Sequence, residues 1–368
     1  MRGGTSVADT LKIPKITNMK KNAILLACSL FVIFAASAGN PKSKPSVPAP
    51  IYMDNNYHGP ADPEVVWNPV TKEYMIFYTG RRPFLDQSSY VGTPVGVAVS
   101  KDMIHWKHAG YCSFDGAGGE PDSEITYWAP GVIIEGDTAH MYVTVKLDST
   151  PVWGGPSNIV HYTAPATDMI SGWKRQSAVV TTPISIDATV IRNGDGYEMW
   201  YRDRPTEETG GLYHAHSKNL YDCELLGLAK GDINRVDVTG HTYQEGAFAF
   251  YWKGWFWIIA DPHKGLAVYR SKDAVNWEYQ GIIMYEPGKR FADNTRARHP
   301  SVLIKDNRAF IVYHVQPFLG YNPGTHEAGD EIYQKISFLQ MAELNCENGK
   351  LTCNRDKTIY PKSLCPRK

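Results

Sequence analysis

From Ile51 onward the apolar positions fall in short alternating runs, cut by Gly, Asn, Asp and Pro. Alternation with a period of two is the mark of strands with one face turned to a core. One unit recurs five times. It has a short apolar strand, a polar turn and a second strand rich in aromatics. The first strands open at Asp62, Trp128, Asp187, Glu245 and His299, and the second strands are residues 74–78, 141–145, 197–201, 255–259 and 310–314. Residues 95–106 and 266–277 are close copies of a following strand, with a Ser-Lys-Asp turn and a return toward Trp; residues 212–221 are a looser copy. No apolar run of helical period exceeds a turn or two. A unit repeating at the length of a four-stranded blade predicts an all-β, five-bladed β-propeller, with antiparallel blades around a central axial pocket. Residues 336–344 and the hairpin after them complete the fifth blade, and the segment from Ile51 lies near the closure point.

The N-terminal 50 residues follow a different pattern. Met19 is the expected start. A basic patch there precedes an apolar run over 23–36 and the small residues Ala36-Ser37-Ala38, the layout of a secretory signal. Residues 1–38 thus read as an upstream extension plus signal peptide, 39–50 as a Pro/Ser/Lys linker, and 51–368 as one catalytic propeller. The apolar run is too short to span a bilayer, so no membrane insertion is expected after cleavage. The product is exported, periplasmic or secreted, with Cys28 as the candidate for lipid attachment. Export permits disulfides. Cys346 and Cys353 flank an Asn348-Gly349 turn signal, and either bond across that hairpin or remain reduced neighbours.

Lys+Arg and Asp+Glu both total 38. That balance gives no electrostatic reason to expect nucleic acid. The 22 tyrosines and 10 tryptophans suit strands, with a minority available to stack on sugars. No Cys–His spacing suggests zinc, and there is no nucleophile elbow or phosphate loop.

Three of the five units open with a carboxylate: Asp62, Asp187 and Glu245. In a propeller the first strands line the axis, so these acids converge, spaced across the channel. Two carboxyls set apart with room for a water supply the acid and base of an inverting glycosidase. A third raises the acid's pKa by like-charge repulsion.

At these residues the chain resembles glycoside hydrolase family 43, over nearly all of 51–345, with families 117 and 32 more distant. Ala61-Asp62-Pro63 is similar to the motif of the family's general base, and Trp128-Ala129-Pro130 to its blade-two motif. Ile186-Asp187-Ala188 is similar to the motif of the residue that tunes the acid. Glu245-Gly246-Ala247 is similar to the general-acid motif. His299, with Ser301-Val302 and Tyr313-His314, resembles blade five, where the family's His sits beside a bound cation or water cluster. The chain departs from the pattern at Gly131, Ala188 and Ala247, and at Arg298-His299-Pro300. The resemblance implies an exo-acting, inverting hydrolase releasing arabinose-, xylose- or galactose-type sugars from plant or algal poly- or oligosaccharide. Asp62 is its base, Glu245 its acid and Asp187 its pKa modulator. Trp128, Arg298 and His299 are the expected substrate contacts, although Arg298 could instead pair with a carboxylate. No cofactor is required; calcium at the axis, with His299 as ligand, is the candidate cation. Two alternatives stand beside this reading. One is a family-117-like anhydrogalactosidase with a His acid, either His299 or His326. The other is a carbohydrate-binding propeller without catalysis.

Overall fold

The computed structural model describes residues 46–84, 91–117, 125–150, 155–206, 210–235, 237, 243–319, 335–361 and 364. The signal segment, Cys28, Cys365 and His326 lie outside them. Five antiparallel sheets follow one another along the chain. Blade one is β1 (Gly59–Asn68), β2 (Glu73–Arg81), β3 (Val95–Ser100) and β4 (Lys107–Tyr111). Blade two is β5 (Thr126–Glu135), β6 (Thr138–Lys146), β7 (Ser157–Pro165) and β8 (Lys174–Val180). Blade three is β9 (Ser185–Asn193), β10 (Gly196–Asp203), β11 (Gly211–Ser217) and β12 (Cys223–Leu228). Blade four is β14 (Glu245–Trp252), β15 (Trp255–Asp261), β16 (Leu266–Ser271) and β17 (Asn276–Ile283), with the two-residue β13 (Lys230–Gly231) pairing parallel to β17. Blade five is β18 (Arg298–Lys305), β19 (Arg308–Val315), β20 (Phe338–Glu347) and β21 (Lys350–Cys353). The blades form a propeller ring. Among the described residues the one named helix is a three-residue 3₁₀ turn, Asp232–Asn234.

The third strands end in the turns expected from their repeated sequence. Ser100 Oγ accepts the N–H groups of Asp102 and Met103, and Asp102 Oδ1 accepts those of Ile104 and His105. Ser271 with Asp273 and Ser217 with Asn219 repeat the arrangement. Short polar side chains thus satisfy a reversing backbone locally.

Apolar side chains fill the seams between blades. Phe77, Val97, Met141 and Trp173 pack between blades one and two, and Tyr142, Met199 and Ala215 between two and three. Trp200 meets Trp277 edge-on at 5.2 Å between three and four. Ile76, Phe310, Val312 and Leu339 join five to one. The segment at Ile51 does lie at this closure, where Ile51 N–H donates to Leu339 O and Tyr52 bridges Leu339.

Every innermost strand carries a bulge at the same level. The pairing skips Asp62-Pro63, Ala129-Pro130, Asp187-Ala188, Gly246-Ala247 and His299-Pro300. The first residue of each pair has left-handed backbone, with φ of 49°, 40°, 59°, 55° and 39° in that order. Such a conformation is costly for any residue but Gly. It repeats because a bulge turns its side chain out of the pleat. The second residue is Pro in three of the five, which is tolerated because no ladder partner needs its missing N–H.

At four of the five bulges the released N–H is caught by the preceding blade. Thr79 Oγ1 accepts from Ala129 (2.8 Å), Thr144 Oγ1 from Asp187 (3.0 Å) and His314 Nδ1 from Asp62 (3.2 Å). Gly246 N–H goes to Asp187 Oδ2 at 2.9 Å. Three residues further on, a second tier repeats the scheme: Val132 N–H to Glu64 Oε1, Ala249 N–H to Thr189 Oγ1 and Val65 N–H to Ser301 Oγ. The last of these closes the ring.

The hairpin of β20 and β21 decides between the two states open to Cys346 and Cys353. Asn348 and Gly349 both have positive φ, forming the expected two-residue turn. That turn places Leu351 opposite Cys346 and Leu344 opposite Cys353. The two cysteines are one diagonal step apart and both are free thiols, as are Cys112 and Cys223.

Two consequences can be measured. Thr189→Val keeps shape but orphans the buried Ala249 N–H, and should cost about 1–3 kcal/mol in denaturant unfolding. Glu64 is fully buried, and burial pushes its carboxyl up to about 8, against the N–H of Val132. A carboxyl whose folded pKa is raised loses stability as pH rises from its unfolded value through the folded one. Glu64→Gln keeps the acceptor without the charge. It should match the wild type in thermal midpoint near pH 4.5 and exceed it above about pH 8.

Candidate active site

The five bulges line the axial channel. Asp62, Ala129, Asp187, Gly246 and His299 surround it at one level, followed by Pro63, Pro130, Ala188, Ala247 and Pro300, with Glu64 and Phe248 deeper along the strands. They leave about 20 Å³ of open space, the scale of one water. Asp62 and Asp187 occupy equivalent positions, as expected. Glu245 does not: it stands one residue before the bulge of its blade, level with Ala61, Trp128, Ile186 and Arg298. The reason lies next to it. A Cβ at Gly246 would fall 2.6 Å from the Cγ of His299. The imidazole fills the space of that side chain, and the carboxylate arrives from the preceding residue.

His299 joins the acids. Its Nδ1 is 3.2 Å from Asp62 Oδ1, and its Nε2 is 3.3 Å from Glu245 Oε1. Asp62 Oδ1 also receives Arg81 Nη2 at 3.4 Å. Facing oxygens and imidazole nitrogens of Asp187, Glu245 and His299 lie within 4.8 Å of one another. Sequence reasoning missed the support behind Glu245. His263 Nε2 lies 3.2 Å from Glu245 Oε1. Arg298 Nη2 donates to His263 Nδ1 at 3.0 Å, Arg298 Nε to Asp261 Oδ2 at 3.3 Å and Arg298 Nη1 to Gln316 Oε1 at 3.1 Å. The Tyr243 hydroxyl is hydrogen-bonded to Glu245, and Arg202 stacks on its ring at 3.6 Å. A signal was available: Asp261 pairs with Glu245 across the ladder. Two carboxylates opposite each other in an apolar hairpin require cations nearby.

Arg298 therefore takes the carboxylate-pairing option. Trp128 is buried, with Lys146 Nζ 5.7 Å from its ring centre.

The charges sort themselves by neighbour. Burial disfavours an imidazolium at His299, yet Asp62, Asp187 and Glu245 together push it up to about 10. Burial would raise Glu245, but His263 and His299 hold it well below the usual carboxylate range. Asp187 is pushed up to about 7, mainly by burial, with Glu245 and Asp62 adding and His299 opposing. Asp261 is buried too, but Arg298 and His263 hold it low. His314 is driven well below the usual imidazole range by burial, with Arg81, His299 and Arg298 adding. The cluster thus keeps a proton on His299 and carries another at Asp187 near neutrality.

The same geometry bears on a cation. Calcium takes six to eight oxygen ligands. Here two carboxylates face a ring whose nitrogens both point at carboxylates, and an imidazolium has no lone pair to give. The residues present do not fit calcium held by His299.

No protein-family model matches the sequence, and no curated protein matches it either. Solved structures do. A thermostable family-43 glycoside hydrolase superposes with a TM-score of 0.59 at 17% identity, covering 84% of this chain and 99% of that one. The RS223 β-xylosidase gives 0.59 at 13% identity, with 85% and 98% covered. An α-L-arabinofuranosidase from Lactobacillus brevis gives 0.57 at 14%, with 84% and 97% covered. The chain has the five-bladed propeller fold of the family-43 glycoside hydrolases, the fold its five repeated units and blade motifs implied.

Proposed function

We propose that the protein is an exported glycoside hydrolase. It would act on chain ends and invert the anomeric carbon, releasing an arabinose-, xylose- or galactose-type sugar from plant or algal poly- or oligosaccharide. One observation carries this reading: Asp62 and Glu245 contact opposite nitrogens of a single imidazole, His299. An interposed ring keeps them apart, as an acid and a base on either side of a sugar must be, rather than at the about 5 Å of a retaining pair. Asp62 takes a proton from the attacking water. Glu245 gives one to the leaving oxygen. Asp187 holds the Gly246 N–H, and so fixes the backbone that carries Glu245, and shares the cluster's proton. Arabinanase, arabinofuranosidase and xylosidase activities among proteins of this fold support the sugar class. The signal-like segment ending at Ala38 supports export. No step uses a cation.

A second reading has an observation behind it. His299 holds its proton to about 10, whereas Glu245 is held low. In that reading the leaving oxygen's proton starts on His299 and passes through its Nε2 contact with Glu245 Oε1.

The test uses natural arabinan, xylan, galactan and agar-derived oligosaccharides, with released sugars identified by chromatography. Wild type should release one monosaccharide. Asp62→Asn should lose at least about 10²–10⁴-fold in kcat while still binding sugar. Glu245→Gln should lose as much on natural substrates but recover on aryl glycosides, whose leaving groups need no acid. If His299→Asn shows that recovery as well, the second reading holds. Sugar-induced thermal stabilisation of the wild type with no product from any substrate would leave a binding-only propeller. Chelation followed by desalting should leave the rate unchanged; loss restored by calcium would overturn the metal-free step.

A further inference from the structure

Behind Glu245 the groups of three strands form a chain with a fixed direction. Asp261, at the end of β15, is fully buried and uses both carboxylate oxygens. Oδ1 accepts the backbone N–H of His263 at 2.7 Å, and Oδ2 accepts Arg298 Nε at 3.3 Å. Arg298 comes from β18 and is also held by Gln316 at the end of β19. Its Nη2 lies 3.0 Å from Nδ1 of His263. A guanidinium has donors only and does not lose its proton. Nδ1 must therefore carry the lone pair, and the ring's hydrogen must sit on Nε2. Protonating Nδ1 would set two N–H groups against each other. Nε2 faces Glu245 Oε1 at 3.2 Å, and His299 Nε2 approaches the same oxygen at 3.3 Å.

We propose that Asp261 and Arg298 lock His263 as the tautomer with its hydrogen on Nε2, the nitrogen that faces Oε1 of Glu245, making His263 a positioning residue for the Glu245 carboxyl. This deepens the glycosidase reading and rests on it for the last clause. Oε1 of Glu245 is hydrogen-bonded to His299 Nε2, the Tyr243 hydroxyl is hydrogen-bonded to the same carboxyl, and His263 Nε2 stands 3.2 Å from Oε1, so the Glu245 carboxyl plane is held among the three. The charged and titratable groups facing it are Glu245 on β14, Tyr243 just before β14 (ring centres 5.4 Å apart), Asp261 and Arg298, with His299 close by on the shared oxygen.

The lock is read from the imidazole nitrogen shifts of ¹⁵N-histidine-labelled protein. In the wild type, His263 should show its hydrogen on Nε2, with the lone pair on Nδ1. Arg298→Met should release Nδ1, so that hydrogen appears on that nitrogen as well. A wild-type His263 that carries its hydrogen on Nδ1 overturns the proposal. The wild-type shifts decide this alone, so a variant that fails to fold does not remove the test.

Turnover tests the role. Gln can accept from Arg298 through its carbonyl and donate to Glu245 through its amide; Leu can do neither. His263→Gln should keep kcat within about tenfold. His263→Leu should lose about 10²-fold in kcat with KM unchanged, and its alkaline limb should move up, since removing a donor raises the affinity of Glu245 for its proton. Equal kcat loss in both variants, with an unmoved limb, would mean a packing role only and overturns the assignment. The nitrogen shifts need no substrate, so a wild type that hydrolyses nothing while its ring is locked sinks the glycosidase reading and the positioning role, not the lock.

Discussion

The bulge at the start of each inner strand is the constraint on which the rest of this molecule depends. A propeller brings five strands to one axis, where a regular pleat would aim alternate side chains along the channel wall and leave no reactive group facing its neighbours. The extra residue, in left-handed backbone, turns a side chain toward the axis in four blades, and in blade four its Gly246 leaves room for the His299 ring. It also releases an N–H from the ladder. The blade before takes up that N–H through Thr79, Thr144, His314 or Asp187. The device that aims the site is thus also a device that joins the blades. Strain in the site and cohesion of the ring are two sides of one arrangement.

The fold was legible in the sequence because a propeller repeats itself. Five strand pairs at similar spacing, third strands ending in Ser-Lys-Asp turns, and an Asn-Gly hairpin are local signals, each with a local cause. The convergence of Asp62, Asp187 and Glu245 followed from the repeat as well. The one-residue offset of Glu245 did not, because a repeat read by eye aligns carboxylates with carboxylates. What breaks the alignment is the His299 ring over Gly246, a contact between blades four and five. The support from His263 and Gln316 was hidden for the same reason: these residues lie apart from Glu245 along the chain and come together only across the ladder and the blade seam. The choice the sequence left open at the cysteines is decided by arithmetic. A two-residue turn at Asn348-Gly349 makes Leu351, not Cys353, the partner of Cys346.

The electrostatics of the site follow from counting. Asp62, Asp187, Glu245 and Asp261 bring four carboxyls into a buried space. Arg81, Arg298 and an imidazolium at His299 offset three negative charges, and the fourth carboxyl, Asp187, is the one pushed toward neutrality. Burial favours a balanced set, and protons fill the deficit that the arginines leave. The site therefore stores protons through the fixed positions of two rings and two guanidinium groups.

Blade two supplies no such chemistry. Its bulge is Ala129-Pro130, built with the same left-handed backbone and caught by the same kind of threonine as the others. One side of an otherwise ionic channel is a methyl group and a proline ring. That wall neither donates nor accepts. The scaffold for a fourth polar contact already exists at that wall, so a single substitution at Ala129 could change which hydroxyl pattern the channel admits while the ring that carries it stays as it is.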